Sequence, residues 1–343
     1  MKRHTLHDIA KIAGVSLKTV SRVVNNEKYV KRETREKVLK VLKKYDYHQN
    51  IPARSLILNR THTLGLIVPN LENPFYSRLS RGVIQTAEKN NYSVIVCESK
   101  FDVSVGAKYL RMLIGRGVDG LLIATLDLND VLVKKLNKIK MRFVIMTCRL
   151  DIPGINYVIA DDYKAGKKVV EYLIGLGHKN IVFLKGPDVY SSNERFMAYK
   201  DVMEENNLEI KDYFITENAL DKRNAYGITL NLLKKHFDVT AIVANNDYAA
   251  LGSIKAIQEL GLSIPGYISI IGYDDIDVAE LLNVPLTTVH YPKLRCGIIA
   301  TERLIDILDN EKSSRGKRII LETEFIERKS CGPVRVGDSR NYQ

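Results

Sequence analysis

The 343-residue sequence holds only four cysteines, Cys97, Cys148, Cys296 and Cys331, and no two of them form a C-x-x-C pair or a metal-ligand spacing. They are expected to be reduced and buried, and no metal site is expected. No run approaches the roughly 18 apolar residues of a membrane span, and Met1-Lys2-Arg3-His4 leads into a charged amphipathic segment without an apolar signal core. A cytoplasmic protein with no membrane partner is the expectation. No G-x-G-x-x-G or P-loop follows any strand-like run, which leaves a dinucleotide or nucleotide-triphosphate enzyme poorly supported. No nucleophile with its base can be named either, so neither a cofactor nor catalysis is expected. Residues 334–343 lack a leucine heptad, which argues against a C-terminal coiled coil and leaves a homodimer as the default assembly.

What the sequence does have is positive charge in one place. With 45% hydrophobic and 27% charged residues the composition is that of a globular protein, and its length suits two or three domains. The net charge is +12, and residues 1–60 supply +10 of it, with 15 Lys and Arg against 5 Asp and Glu. A basic head on a nearly neutral body is the footprint of a chain that docks one end on a polyanion. A solvated basic tail would show the same charge, so the pattern of the head has to decide.

That pattern is helical. Thr5-Leu6-His7-Asp8 reads as a helix start, with Thr5 as N-cap and the Asp8 carboxylate near the positive end. Leu6, Ile9, Ala10 and Ala13 follow at helical spacing, and Gly14 supplies the backbone angle of a sharp turn. Val15 plugs the turn and Ser16 caps a second helix, Leu17 to about Asn25, whose inner face is Val20, Val23 and Val24. Helices this short do not persist alone in water, so a third must cover them. Residues 33–45 provide it, with Val38, Val41, Leu42 and Tyr45 at helical intervals.

A helix, a glycine turn and a second helix backed by a third is a helix-turn-helix, whose second helix enters the major groove of DNA. Its outer face carries Leu17, Lys18 and Arg22. Arg22 can donate a bidentate pair to guanine, Lys18 can reach the same acceptors or a phosphate, and Leu17 offers apolar contact to a thymine methyl. Thr5, Ser16, Thr19, Ser21 and Asn25 are the polar groups expected to fix register on phosphates.

The run TLHDIAKIAGVSLKTVSRVVNNEKYVKRETREKV resembles the headpiece of the lactose-repressor (LacI/GalR) family, and the similarity runs almost to the C-terminus. The resemblance implies that Leu17, Lys18 and Arg22 read bases. It also makes ARSL a hinge helix in which Leu56 wedges into the minor groove while Ala53 and Arg54 lie along it. Three departures stand out here. Lys31 replaces the oxygen that often caps helix three, Gln49 stands where proline is usual, and Pro52 stands where it is not.

From Thr63 short apolar runs alternate with amphipathic helices: strands at Leu64–Pro69, Tyr92–Cys97, Gly120–Ala124 and Phe143–Thr147, with helices 77–90, 105–115 and one more between. The theme restarts at Asp162 with strands Ile181–Lys185, one around Phe214, Ala241–Ala244 and Ile268–Tyr273. After Pro292 comes a helix to Asp309, then strands Arg318–Glu322 and Phe325–Arg328. Such alternation predicts parallel sheets with a ligand cleft at the strand C-termini. The expected fold is thus an all-α helix-turn-helix domain at 1–49, a hinge at 50–60 and a periplasmic-binding-protein-like α/β domain at 61–333 with two doubly wound parallel-sheet lobes. The lobes are expected at 61–161 plus 292–323 and at 162–291 plus 324–333, with a tail at 334–343.

Polar groups at the strand ends suit a polyol: Asn73-Pro74-Phe75-Tyr76, Arg149, Arg195, Asn246-Asp247 and Tyr273-Asp274-Asp275. NPFY, SSNERFMAYK, ANND, IGYDD and PLTTV resemble the family's effector-domain signatures, which implies that Phe75, Arg195, Asn246 and Asp274 contact the effector. Cys148 stands where an Asp or Asn often binds, and Leu220-Asp221-Lys222 lacks the usual ring-covering aromatic. Arg149, Arg195 and Lys222 together would suit an acidic sugar. The expectation is therefore a repressor of carbohydrate-utilisation genes that binds near-palindromic operator DNA as a homodimer under a sugar or acidic-sugar effector, inducer or corepressor. A non-sugar effector such as a nucleobase, or a solute-binding receptor, stays open.

Overall fold

The computed structural model describes residues 4–24, 29–47, 60–124, 136, 138–150, 152–216, 219, 221–310 and 316–334. Two compact units divide the chain, Met1–Thr61 and His62–Gln343.

In the first unit, helix α1 (Leu6–Ala13) starts at Thr5 as expected, and the cap is reciprocal: Thr5 Oγ1 accepts from the Asp8 amide at 3.3 Å, and Asp8 Oδ2 accepts from the Thr5 amide at 2.8 Å. Gly14 ends it at φ 61, and its N–H returns to Ala10 and Lys11 carbonyls. Ser16 Oγ caps α2 (Leu17–Val24) by accepting from the Thr19 amide, and α3 (Arg32–Lys44) follows without a side-chain cap at Lys31. Ile9, Ala13, Val20 and Val38 are fully buried between the three helices.

The Asp8 carboxyl lies below the usual carboxylate range because the Thr5 amide, and then the Thr5 hydroxyl, donate to it. A depressed value in the folded state means that the cap stabilises fully above about pH 4 and is lost as pH falls through the lowered value. Asp8→Asn should therefore lower the melting temperature of the head at pH 7 and leave it nearly unchanged at pH 2.5, followed by the helical circular-dichroism signal. Equal losses at both pH values would show that the carboxylate does not act through its charge.

The second unit holds two parallel sheets. In the first, β1 (Thr63–Val68), β2 (Ser93–Glu98), β3 (Gly120–Ile123), β4 (Arg142–Met146), β5 (Tyr157–Ala160) and β11 (Arg318–Leu321) pair in the order β2-β1-β3-β4-β5-β11. The second has the order β7-β6-β8-β9 and comprises β6 (Ile181–Leu184), β7 (Ile215–Thr216), β8 (Ala241–Ala244) and β9 (Ser269–Ile271). Short antiparallel strands β10 (Thr288–His290) and β12 (Glu324–Ile326) pair beside the second sheet. Helices α4 (Pro74–Lys89) and α5 (Val103–Gly115) lie between the strands of the first sheet. α6 (Asp162–Gly175), α7 (Tyr190–Glu205), α8 (Lys222–Lys235) and α9 (Asp247–Glu259) serve the second, and α10 (Lys293–Asp309) returns to pack on α4 and β4. The central strands of each sheet are buried on both faces against helices, which is why they read as unbroken apolar runs. The chain thus crosses between lobes after β5, after β10 and after β11.

The pattern expected from sequence differs in three places. β5 and β10 were not anticipated, the segment at Phe214 is a single 3-10 turn (Asp212–Phe214) leading into the two-residue β7, and α4 and α5 begin earlier than expected, at Pro74 and Val103. The helix expected between Ala124 and Phe143 falls mostly outside the described residues.

α4 and α10 meet through glycine. A Cβ on Gly82 would stand 2.2 Å from the Leu294 carbonyl oxygen, and one on Gly297 would stand 2.3 Å from that of Leu79. Backbone cannot yield as a side chain can, so Gly297→Ala should cost about 1–3 kcal/mol through forced separation of the helices. A denaturant midpoint within error of the parent would mean that the helices slide apart freely.

Candidate DNA-reading face and effector cleft

On α2 the side chains of Leu17 and Lys18 are exposed, Leu17 to 47%, while Arg22 is half-buried one turn on along the same face as Lys18. Thr19 and Ser21 are half-buried and flank them, and Ser16 is exposed with its hydroxyl 2.8 Å from Thr19 Oγ1. Thr5 is exposed at the start of α1, its hydroxyl bonded to Asp8 at 2.8 Å. The structure therefore assembles Leu17, Lys18 and Arg22 on one helix, with three of the expected phosphate groups beside them. Asn25, Ala53, Arg54 and Leu56 lie outside the described residues.

The cleft opens where the strands of both sheets end. Asn70 and Asn73 follow β1, Phe101 follows β2, Thr147 follows β4, Pro187 follows β6, Asn245 and Asn246 follow β8, and Asp274 follows β9. Phe75, Tyr76, Val189, Ser191, Arg195 and Tyr291 complete the lining. Asn73 caps α4 through Oδ1 to the Phe75 amide, which fixes the Phe75 ring edge-on against Tyr291 at 5.1 Å and Tyr76 at 5.0 Å. Asn246 caps α9 with its Oδ1 on the Ala249 amide, leaving its NH2 group for the cleft.

Arg195 reaches the cleft already paired. Its Nε and Nη2 both donate to Asp162 Oδ1, at 2.8 and 2.6 Å, its Nη1 donates to the Asn245 carbonyl, and its guanidinium lies 4.3 Å from the centre of the Tyr273 ring. Burial alone would weaken its charge, but the Asp162 carboxylate holds it charged. Asp274 is 5% exposed at φ 106. Burial pushes its carboxyl up to about 7, against the pull of Arg195 and Lys293. Thr147 Oγ1 and Asn245 Oδ1 are buried lining atoms with no hydrogen-bond partner among the described residues.

Phe75, Arg195, Asn246 and Asp274 are thus brought together, while Arg149 is not among the lining residues. It is exposed and interacts with the Tyr190 hydroxyl and Glu194. Lys222, at the start of α8, lies over the ring of Tyr248 on α9, and Cys148 packs into the apolar cluster beneath β4. Sequence reading missed Asn70, Phe101, Thr147, Asn245 and Tyr291, although the strand-end rule applied to every strand would have reached the first four. Asp162 gave no such signal, because its partner is 33 residues away. Among the described residues there is no cluster of His, Cys, Asp or Glu that could hold a metal, and no helix is long and apolar enough to cross a membrane.

A trihelical head joined in one chain to a two-lobed parallel-sheet cleft defines a class: DNA-binding transcriptional regulators with a periplasmic-binding-protein-like domain. Residues 5–50 match the family model of bacterial regulatory proteins of the lacI family, and residues 61–329 match that of periplasmic binding proteins and the sugar binding domain of the LacI family. The chain belongs to the LacI family. It is 34% identical over 329 residues to the HTH-type transcriptional repressor PurR of Aliivibrio salmonicida, covering 95% of this chain and 98% of that protein. The lac repressor dimer bound to operator and the anti-inducer ONPF superposes with a TM-score of 0.86 at 26% identity, over 96% of this chain and 100% of that one. The CelR–cellobiose complex superposes at 0.72 and 27% identity, over 96% and 100%.

Proposed function

We propose that this chain is a sequence-specific repressor of carbohydrate-utilisation genes, a homodimer whose two heads read a near-palindromic operator and whose cleft binds a neutral sugar. Leu17, Lys18 and Arg22 are assigned to bases. Thr5, Ser16, Thr19, Ser21 and Asn25 are assigned to phosphates, and Ala53, Arg54 and Leu56 to the minor groove at the hinge, with the domain boundaries as expected from sequence. The protein is a sensor and not an enzyme. Effector affinity that differs between two arrangements of the lobes shifts the dimer between DNA-binding and released states.

The observation that carries the effector assignment is the composition of the cleft. The one guanidinium among its described residues is neutralised by Asp162, and around it stand the Asp274 carboxyl, the Asn246 amide, two buried oxygens open to donors and the aromatic corner of Phe75, Tyr76 and Tyr291. Such a set accepts and donates to hydroxyls and covers a ring face. An acidic sugar would need an unpaired cation, and neither Arg149 nor Lys222 belongs to the lining. The same aromatic faces and amide edges fit a planar nucleobase, which is the second reading. The CelR–cellobiose complex supports the first, and the more similar PurR repressors support the second.

Selection of bound duplexes from a random pool, with and without cellobiose, ribose, glucuronate and hypoxanthine, tests both readings. A neutral sugar should shift recovery of one enriched near-palindrome, and hypoxanthine alone doing so would install the second. Arg22→Ala should weaken binding by about 1–3 kcal/mol and relax base choice at one position per half-site. Uniform weakening on every sequence would demote Arg22 to a phosphate contact.

A further inference from the structure

We propose that Lys293 is a positioning residue of the cleft: from the first turn of α10 its ammonium holds the Asp274–Asp275 turn in place and joins that turn to the opposite lobe. The assignment rests on the cleft being the effector site.

Lys293 is 5% exposed, an unusual place for a lysine. Its Nζ does not meet a carboxylate. It donates to the backbone carbonyl of Asp274 and, at 2.7 Å, to that of Asp275. Those two residues have φ of 106 and 54, consecutive side-chain-bearing residues in a region such residues rarely adopt. A conformation of that kind persists only where the surroundings over-determine it, and the contacts around the turn do so. On one side Asp247, at the start of α9, accepts from the Ile276 amide at 2.9 Å and the Thr288 hydroxyl at 2.6 Å. On the other side stands Lys293. The Asp275 carboxylate is tied outward to His290 and Arg328, at 2.9 and 2.6 Å, which leaves Asp274 as the member of the pair that faces the cleft.

The connection spans the lobes. α10 packs on α4 and on β3, β4 and β5 of the first sheet, whereas the Asp274 amide donates to Val289 beside the second. Lys293 sits where the chain crosses from one to the other. Any rotation of the lobes that moves the first turn of α10 moves the acceptors of its ammonium, and with them the Asp274 carboxyl. The charged groups around that carboxyl are Arg195 from α7, Asp162 from α6, Asp247 from α9, Asp275 of the turn itself and Lys293 from α10. His290 of β10 and Arg328 lie behind, on Asp275. Lys293 and Arg195 are the two cations of this set that act on Asp274 directly.

The test is the ionisation of Asp274 in the full-length protein, read from the 13C resonance of 13Cγ-labelled aspartate and assigned with Asp274→Asn. Wild type should titrate at about 7. Lys293→Met should raise the midpoint by about one pH unit or more, a tenfold change in acid strength, and Lys293→Arg should stay within about 0.3 unit of wild type. Lys293→Gln keeps a donor for one carbonyl without the charge, so it covers the case in which the methionine variant does not fold, and its midpoint should rise as well. Collapse of both neutral variants beside a folded Lys293→Arg would also support a cation that closes the turn. A midpoint unmoved in either folded neutral variant, or an arginine variant as displaced or as unfolded as the others, would overturn the proposal. No effector enters the measurement, so a negative result counts against Lys293 alone. Failure of the sugar and hypoxanthine panel counts against the sensor reading alone.

Discussion

Replacing Arg195 with methionine should remove about 3–5 kcal/mol from the stability of the 62–343 unit, because it strands a carboxylate in the protein interior. Asp162 and Arg195 expose 3% and 6% of their side chains, and two guanidinium N–H groups converge on one carboxylate oxygen. Burial pushes the Asp162 carboxyl up and the Arg195 charge pulls it back, so the pair exists as ions only while both members are present. Removing Arg195 also takes the donor from the Asn245 carbonyl and the cation from the Tyr273 ring. The double variant Arg195→Met with Asp162→Leu should recover much of the loss, since replacing both partners by apolar groups abolishes the uncompensated charge. Denaturant unfolding of the two variants beside wild type measures this. If the single variant unfolds within about 1 kcal/mol of wild type, Asp162 has simply taken up a proton at little cost and the pair is not the electrostatic floor of the cleft.

The same pair shows what a sequence can and cannot disclose. Arg195 was legible because it follows a strand, in the helix Tyr190–Glu205, within a segment that resembles a known effector signature. Asp162 was legible only as the start of a helix, since its role depends on a neighbour brought in by the fold. The head was the most readable part: Thr5, Asp8, Gly14 and Ser16 act within four residues of themselves, so spacing alone fixes their caps. β5 and β10, with four and three residues, are too short to show a period and owe their conformation to the strands beside them. Arg149 illustrates the opposite error. It follows a strand, as the rule requires, but the chain turns there and Tyr190 and Glu194 engage it outside the cleft. The Asp274–Asp275 turn was legible from its place after a strand and from the IGYDD resemblance, while the lysine that grips it is visible only in three dimensions.

The second large effect is a gain. Asp274→Asn should stabilise the 62–343 unit by an amount on the order of 4 kcal/mol at pH 8 and by almost nothing below pH 4. Burial holds the Asp274 carboxyl at about 7 in the folded protein, above its ordinary unfolded value near 4. The folded state therefore binds a proton that the unfolded chain releases first, so the contribution of Asp274 to stability is full below the unfolded value and is lost as pH rises through about 7. Asparagine imitates the protonated form at every pH and removes that slope. Asp275 works in a different window: His290 and Arg328 draw its carboxyl down to about 2 against the cost of burial, so its contribution holds above pH 4 and fails only in strong acid. Asp247, also raised by burial, is unchanged in the comparison. Denaturant midpoints of wild type and Asp274→Asn should diverge between about pH 4 and 7 and keep a constant gap above that, and curves parallel across the whole range would mean that solvent already reaches the carboxyl and no proton is held there. A residue that weakens its own fold at neutral pH, and whose amide analogue would relieve the cost, accords with the effector contact proposed for Asp274.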